Sequence, residues 1–444
     1  MKLGRRSLLL AGAAIPTAAY GQCVTDKFVV DACWGGVRLT VPGPSFDQNF
    51  LTGSLGTGAV FTRASTGMYY NSSGVLVSAA INTPRFDYDP VTLQLKGLLL
   101  EDASTNIAPN PPVGGAWAPG GATVAAASGI APDGTNTMVK LSETGVNELH
   151  FTAYGQGFAG GGQWTGSVFA RTSGTRYLQL AFDDGGANGI WATFDLVSGT
   201  VSGPIAATGT WAAVSASVQN IGNGIYRCSA TFTPAGTALR VLLVTSNLPS
   251  PGRFPSYLGN TANAVLVWGA QVEALPYMSS HIPTTSVSVT RAADSLTYPG
   301  SGITGFSPTA GSWFLEFIRN GSVAATPRVI GVIMANSPGV LYSDSTAHLG
   351  QYDVATTLTT ANLITVGDIH KGISTWIAGE AKVCLDNGTI AKSAALTTGY
   401  SGIAGNSIGV LRGTPPSENL SGWARRISYW PRVLSDSEMQ AVTT

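Results

Sequence analysis

Charged residues are scarce in this sequence. Only 11% of the 444 residues are Asp, Glu, Lys or Arg, and the 24 basic residues balance the 24 acidic ones. A neutral, charge-poor chain lacks the basic stripe that holds a phosphate backbone, so we expect no nucleic-acid partner. After the N-terminus no apolar run is long enough to cross a bilayer, and we expect no membrane span.

Cysteine and histidine are also rare, with four of each. Four cysteines do not make a disulfide scaffold in a chain this long. Cys23 and Cys33 flank a short segment, and whether they pair depends on an oxidising compartment. Cys228 and Cys384 lie in strand-like runs and are predicted to be small buried side chains. The histidines lack metal-ligand spacing, which argues against a zinc site.

The sequence is instead rich in glycine, with 56 residues, and in short alternating runs of Ser, Thr, Val and aromatic residues. This composition predicts an all-β fold of tandem antiparallel β-sandwiches (jelly rolls), with a short C-terminal helix and an apolar N-terminal segment. A length of ~150 residues per domain suggests about three units. The predicted division is an N-terminal apolar segment or signal peptide at 1–23, a β-rich lead-in segment at 24–106, a jelly-roll domain at 107–286, a linker at 287–294 and a second sandwich at 295–444.

The first residues have the pattern of a signal peptide. Lys2, Arg5 and Arg6 precede an apolar stretch at 8–14, and Ala19-Tyr-Gly21 is a small-residue site. An apolar arm that packs on a neighbouring subunit or a virion fits the same residues. The sequence leaves both interpretations open.

The middle of the chain alternates strand-like runs with turns such as Asp183-Asp-Gly-Gly186 and Gly222-Asn-Gly224. This spacing is typical of a sandwich. The predicted strands are 138–141, 148–153, 166–171, 177–183, 191–195, 212–218, 226–233, 238–244 and 264–272.

Two stretches near the end of this domain carry a resemblance to a known class. They are Gly222-Asn-Gly-Ile-Tyr-Arg-Cys-Ser229 and the edge Trp268-Gly-Ala-Gln-Val-Glu273, which leads through a tether to Thr290-Arg-Ala-Ala-Asp294. They resemble jelly-roll modules of phage head-spike, head-fibre and tail proteins, and carbohydrate-binding modules built like them. The resemblance implies a domain that presents aromatic faces to sugar rings.

The C-terminal third resembles the laminin-G or concanavalin-A-like lectin fold. Gly311-Ser-Trp-Phe-Leu-Glu-Phe317 reads as an opening strand, and Asp386-Asn-Gly388 as a tight Asn-Gly hairpin turn. Arg432-Val-Leu-Ser-Asp-Ser-Glu438 resembles the turn before that fold's short terminal helix. Here Ser435 is the expected N-cap and Glu438 completes a capping box.

Aromatic residues near glycine-rich loops are the candidates for a sugar site. Aromatic faces stack on the C–H face of a sugar while neighbouring polar groups bind its hydroxyls. The core between two sheets also contains aromatic residues, so each candidate could be a buried core residue instead of a sugar-binding one. From a pool that also holds Trp117, Tyr154, Tyr177 and Trp211, the candidate carbohydrate-binding residues are Trp164, Asp183, Asp184, Asn188, Trp191 and Tyr257.

The adjacent Asp183 and Asp184 also suit a structural calcium ion with backbone carbonyls. They are weak metal candidates, because two aspartates in a turn are common. No other cofactor is expected.

Two motifs that could indicate catalysis lack the surrounding structure that their chemistry needs. Gly405-Asn-Ser-Ile-Gly409 matches a nucleophile elbow, but a strand follows it where that elbow needs a helix. Glycoside hydrolysis needs two facing carboxylates, and Glu101, Glu143, Glu148 and Glu316 form no such pair along one strand. We therefore expect a non-enzymatic protein, although a pair assembled from distant strands stays open.

A charged group in the lead-in segment is better explained by structure than by chemistry. Arg63, Arg85, Asp87 and Asp89 are expected to form internal salt bridges and Asx turns. The tripeptide Thr62-Arg-Ala64 occurs again as Thr290-Arg-Ala292, which suggests two equivalent junctions, one ahead of each sandwich module.

The resemblances imply a phage or prophage virion protein, a head or tail fibre, that adheres to host-surface glycan without catalysis. Its other expected partners are virion proteins and copies of itself, with the trimer as the arrangement typical of fibres, and its expected location is the virion surface. One alternative is a decoration protein that binds no glycan. The other is a secreted bacterial lectin or glycoside hydrolase.

Overall fold

The computed structural model describes most of the chain from residue 41 onwards. The predicted N-terminal segment, Cys23 and the motif at 405–409 lie outside the described residues. The described ranges are 41–110, 116–298, 303, 305–307, 309–321, 346–352, 357–394 and 420–444, with the strand backbones at 33–34, 37–38, 328–329 and 340–343.

The fold is nearly all β, as the composition predicted, and one short α-helix lies at the C-terminal end. No helix in the described ranges is long and apolar enough to cross a membrane. Cys228 and Cys384 are free and buried, which confirms their prediction as small core side chains.

The segment before the first sandwich consists of short strands and one 3₁₀ turn at Phe50–Thr52. Its strands are β1 (Cys33–Trp34), β2 (Val37–Arg38), β3 (Phe46–Asn49), β4 (Val60–Thr62), β5 (Gly67–Tyr70), β6 (Leu76–Ala79), β7 (Phe86–Tyr88), β8 (Leu95–Leu100) and β9 (Ser104–Asn106).

The first sandwich follows. Each predicted strand of the middle region overlaps an observed one, but the predicted strand at 148–153 is divided at His150 between two strands of different sheets. Its strands are β10 (Ala118–Gly120), β11 (Ala122–Ala125), β12 (Val139–Glu143), β13 (Asn147–Leu149), β14 (Phe151–Gly157), β15 (Trp164–Ser173), β16 (Tyr177–Asp183), β17 (Gly189–Asp195), β18 (Thr200–Val201), β19 (Ala206–Thr208), β20 (Ala212–Gly222), β21 (Ile225–Thr233), β22 (Ala238–Ser246), β23 (Ser256–Leu258) and β24 (Ala264–Glu273).

Two antiparallel sheets make up this sandwich, and β13 and β23 form a separate two-stranded pair beside them. One has the order β11-β12-β24-β15-β21-β20, and the other has the order β10-β14-β22-β16-β17-β18, with β19 also paired to β17. Alternate side chains of each sheet point into a shared apolar core. At its centre the Phe182 and Phe232 rings stack with centroids 4.7 Å apart.

The remaining strands form the tether and the second sandwich, and the chain ends in the helix α1. They are β25 (Val289–Arg291), β26 (Ser295–Thr297), β27 (Ala310–Arg319), β28 (Arg328–Val329), β29 (Val340–Ser343), β30 (His348–Tyr352), β31 (Thr357–Leu363), β32 (Ile369–Ile377), β33 (Glu380–Leu385), β34 (Ala391–Ser393), β35 (Gly422–Trp430) and α1 (Asp436–Val442).

The second sandwich includes strands from the N-terminal part of the chain. Its large sheet has the order β34-β33-β32-β27-β35-β8-β7, and β3 also pairs with β35. A four-stranded sheet, β28-β29-β30-β31, is the other described sheet of this region. Three strands of the lead-in segment, β3, β7 and β8, are therefore part of the second sandwich. The boundaries of the predicted domains remain predictions.

Two local expectations for the second sandwich can be compared with the structure. The capping box at the start of α1 is present, with Ser435 accepting from Glu438 N–H and Glu438 accepting from Ser435 N–H. The hairpin turn after β33 is centred one residue earlier than predicted. Asp386 and Asn387 take the positive φ values of 49° and 53°, and Gly388 N–H donates to Leu385 O.

The two Thr-Arg-Ala copies meet at a buried ionic cluster. β4 pairs with β26, β25 pairs with β9, and both Arg63 and Arg291 turn towards Asp294. Arg63 Nη1 lies 3.1 Å from one carboxylate oxygen of Asp294, and Arg85 Nη2 lies 2.5 Å from the other. Arg85 also reaches Glu101 at 2.8 Å, and all five side chains are at most 2% exposed.

The predicted structural role of the charged lead-in residues is confirmed. Asp87 is buried and accepts hydrogen bonds from Tyr70 N–H and Trp423 Nε1–H, and Asp89 caps the turn that follows it. Since Trp423 belongs to β35, Asp87 fixes the lead-in segment to the second sandwich.

We expect Asp294→Asn to lower the free energy of unfolding by about 3–5 kcal/mol. Removing this carboxylate charge leaves guanidinium groups unpaired in a site that water does not reach. Urea unfolding measures the change. Asp436→Asn is the matched control, because that side chain is 43% exposed and its ion pairs are worth at most about 1 kcal/mol. Equal effects of the two variants would contradict the structural role of the cluster.

Acid should weaken the same cluster within a defined pH range. Burial opposes ionisation of Glu101, but the guanidinium groups of Arg291 and Arg85 and hydrogen bonds from Ser280 lower its pKa from 4.5 to about 2. A lowered pKa stabilises the fold above the unfolded-state value, and that stabilisation is lost as pH falls from 4.5 towards 2. Urea unfolding in this interval should show a steep loss, and Glu101→Gln should flatten it. An unchanged pH slope in Glu101→Gln would refute this assignment.

Candidate functional site

The β16–β17 hairpin brings four of the sequence candidates together. Asp183 ends β16, Asp184 and Asn188 lie in the turn, and Trp191 lies on β17. The alternation along both strands directs Leu180, Phe182 and Ile190 into the core, and therefore directs Asp183 and Trp191 to the outer face of the sheet.

Asp183 is fully buried and neutralised by two arginines. Arg240, opposite it on β22, donates from Nε and Nη2 to the two carboxylate oxygens at 2.9 Å each. Arg253 donates from Nη2 at 2.6 Å. The Arg240 side chain stays 37% exposed, so part of a guanidinium group lies at the surface.

Asp184 and Asn188 organise the turn itself. Asp184 accepts from Gly186 N–H at 2.8 Å and from the Asn188 side chain at 2.6 Å. These hydrogen bonds, the one from Asn188 first, lower the pKa of Asp184. Asn188 Oδ1 in turn accepts from Thr210 N–H, which ties the turn to the start of β20. Both side chains are half-buried and engaged within the protein.

Trp191 covers an apolar patch on the outer face of the sheet. Across the paired strands, the register places Trp191 next to Ala181, and Ala181 next to Leu242. Ala181, Leu242 and Val244 are buried beneath partly exposed aromatic rings. The rings that surround this patch are those of Trp191, Phe151 and Phe254.

The 247–256 loop completes this surface, and two hydrogen bonds with the Gln179 side chain fix its position. Gln179 accepts from Phe254 N–H at 3.1 Å and donates to Gly252 O at 3.1 Å. Phe254 takes a positive φ of 59°, and the guanidinium carbon of Arg253 lies 4.5 Å from its ring centre. We call the surface formed by Phe151, Trp191, Arg240, Arg253 and Phe254 the Trp191 face.

Trp164 and Tyr257 lie elsewhere. The Trp164 side chain is in the core, 5% exposed, with its indole N–H donated to Gly161 O at 3.1 Å. A core ring of this kind has no open face for a sugar, so Trp164 is not part of the site. The glycine loop before it predicted exposure, but the ring turns inward against Phe158.

Tyr257 is 8% exposed, and its hydroxyl group is hydrogen-bonded to Thr245 at 2.8 Å and to Glu143 at 2.9 Å. Burial raises the pKa of this phenol, which keeps it protonated. The buried hydrogen bond between Tyr257 and Glu143 therefore joins β23 to the end of β12.

The rest of the aromatic pool divides between core and surface. Trp117 and Trp211 are 3% exposed core residues, whereas Tyr154 and Tyr177 are partly exposed. The alternative that an aromatic residue serves the core thus holds for most of the tryptophans in this sandwich.

The acidic residues considered for catalysis each have a structural partner. Glu101 belongs to the ionic cluster, Glu148 accepts from Thr144 Oγ1, and Glu316 accepts from Arg425 Nε at 2.6 Å. Within the ranges described above, no group of three or more His, Cys, Asp and Glu side chains could hold a metal ion.

The sequence reasoning missed Arg240, Arg253 and Phe254. Arg240 sits in a strand-like run and gave no signal. Arg253 and Phe254 lie in Pro249-Ser-Pro-Gly-Arg-Phe-Pro255, a loop that contains a basic and an aromatic residue but no tryptophan or tyrosine. Only the fold places this loop beside Trp191.

Comparisons with known proteins identify no family. No family model matches the sequence, and no curated protein matches it. Among solved structures, the chain is similar to a Bacteroides ovatus protein assigned to carbohydrate binding by inference, with 8% identity and a TM-score of 0.26 over 66% of this chain and 79% of that one.

Two further solved structures are similar to parts of the chain. A Trypanosoma rangeli sialidase has 11% identity and a TM-score of 0.26, and the match covers 68% of this chain and 60% of the sialidase. Domains LG4-5 of mouse laminin α1 have 10% identity and a TM-score of 0.20 over 65% of this chain and 89% of that one. At these scores the likenesses carry no argument, so the fold assignment rests on the strand order described above.

The Asp183–Asp184 pair does not suit calcium, because guanidinium groups already occupy the oxygens of Asp183. A calcium ion would have to displace both arginines. We expect the melting temperature to be the same in excess EDTA and in millimolar CaCl₂, as measured by differential scanning fluorimetry. Stabilisation by calcium that Asp183→Asn abolishes would overturn this expectation.

Proposed function

We propose that this chain is a non-catalytic adhesin that binds host-surface carbohydrate through the Trp191 face. The observation that carries the proposal is an aromatic surface with arginine donors on the outer face of a sandwich sheet. Sugar sites in proteins combine these two elements, since the aromatic ring contacts the C–H face and polar groups bind the hydroxyls.

The Trp191 face supplies both elements in fixed positions. Trp191 and Phe254 are held by packing on Ala181, Leu242 and Val244, and Asp183 orients the two guanidinium groups. A site whose side chains are already ordered loses little entropy on binding. Two arginines face the Asp183 carboxylate, and the neighbouring Asp184 carboxylate also interacts with Arg240, so the positive and negative charges of this surface balance.

The proposal places the protein on a phage or prophage virion as a head or tail fibre. The motifs at 222–229 and 268–294 support this location through their resemblance to phage modules. A single sugar contact is weak, so many copies on a virion, or a homo-oligomer such as a trimer, would supply avidity. Capsid, portal or tail genes beside this gene would favour the virion, and a secretion operon would favour the secreted lectin.

A glycan array that includes bacterial lipopolysaccharide and capsular oligosaccharides tests the binding proposal. Trp191→Ala should weaken the best-bound glycan by at least about fivefold, because the stacking face is lost. Trp191→Phe should retain most of the affinity. Val214→Ala is the control, since Val214 is a 43% exposed apolar residue on β20 of the opposite sheet.

Three results would count against the proposal. Binding of no glycan would favour the decoration protein. Equal binding by wild type and Trp191→Ala would place the site elsewhere. Release of reducing ends from the bound polysaccharide would favour the glycoside hydrolase.

A further inference from the structure

A cavity opens on the side of the first sandwich opposite the Trp191 face. It has a volume of about 400 Å³ and lies between the 126–137 loop, the bulge of β24 at Trp268 and Gly269, and the tether at 281–285. This size is within the ~300–1,000 Å³ range of small-molecule sites. Because β24 belongs to the sheet that does not contain β17, the cavity is separate from the Trp191 face.

Trp268 forms a rigid aromatic wall of this cavity. Its indole N–H donates to Thr137 Oγ1 at 3.0 Å, and its ring packs edge-on against Phe169 with centroids 5.4 Å apart. The ring is partly exposed and lines the cavity. A tryptophan that is fixed in this way can present a flat apolar surface without losing side-chain entropy on binding.

Polar groups without partners adjoin the same wall. His281 is 3% exposed, and its Nδ1 has no hydrogen-bond partner among the described residues. Asn110 donates from Nδ2 to Ala270 O and Thr284 Oγ1, while its Oδ1 is buried without a partner. Such atoms lower stability unless a partner satisfies them.

The charge of the lining limits the class of ligand. Asp133 is the one ionisable carboxylate among the described lining residues, and no Lys or Arg is among them. Thr135 already donates to Asp133 from its backbone and its hydroxyl group. Burial, and then the charge of Arg227, lowers the pKa of His281 to about 3, so its ring is neutral at ordinary pH. This electrostatic environment suits an uncharged ligand.

We propose that this cavity binds a single neutral hexopyranose ring. The ring stacks on Trp268, and its hydroxyl groups bond to His281, Asn110 and the exposed Thr285 at the rim. The inference does not rest on the Trp191 face, because the two surfaces share no residue.

The test is saturation-transfer-difference NMR and calorimetry on the full chain with glucose, galactose, mannose and N-acetylglucosamine, and with glucuronate as the charged comparison. At least one neutral sugar should bind in the millimolar range, more tightly than glucuronate. Ala126→Trp places a large ring in the cavity from an exposed loop position and should weaken binding at least tenfold. Thr285→Val removes one rim hydroxyl group, should weaken binding about threefold and tests the site even if Ala126→Trp misfolds.

Ala361→Trp is the matched control, because Ala361 is an exposed alanine on β31 that lines neither surface. It should leave binding unchanged. No binding by any neutral sugar, tighter binding of glucuronate, or full binding in both cavity variants would overturn the inference. Sugar binding that Trp191→Ala removes and Ala126→Trp spares would overturn it while supporting the proposed function.

Discussion

Asp294 is the point on which the arrangement of the whole chain depends. Its carboxylate accepts from Arg63 and Arg85, and one oxygen also accepts from the backbone N–H of Glu101 at 2.9 Å. Placing charges where water does not reach is costly, and the cost is recovered only when every partner is in position. Because the partners come from the lead-in segment and the tether, the cluster forms only when these segments meet.

This constraint explains why the chain is not a string of independent sandwiches. Glu101 also accepts from Ser280 at the exit of the first sandwich, and Asp87 accepts from Trp423 in the second. The β3, β7 and β8 strands then complete a sheet whose other strands lie more than two hundred residues later. The lead-in segment thus connects the two sandwiches. The sheet that carries the Trp191 face is part of the first of them.

The Trp191 face repeats the chemistry of the cluster at the surface. Asp183, like Asp294, is a buried carboxylate that orders more than one guanidinium group. The difference lies in exposure, since Arg240 is more than one-third exposed while the arginines of the inner cluster are sealed. The same ion pairing therefore stabilises the fold in one place and, under the proposed function, presents donors to a glycan in the other.

The sequence predicted what depends on local patterns. Tyr177–Asp183 was predicted to the residue, because alternation and the Asp-Asp-Gly-Gly turn both mark its end. The Asn-Gly turn was misplaced by one residue, since Asp386 also tolerates positive φ. Trp164 and Trp191 both follow glycine-rich loops, and only the strand register decides which ring faces outward. The ionic cluster joins residues up to 231 positions apart, which no local pattern can reveal.

The measurement that tests the central claim most directly is hydrogen–deuterium exchange of the full chain with and without its best-bound array glycan. The account predicts added protection of backbone amides in the β16–β17 hairpin and in the 247–256 loop, with little change in the second sandwich. Protection confined to the second sandwich, or no protection at saturating glycan, would contradict it.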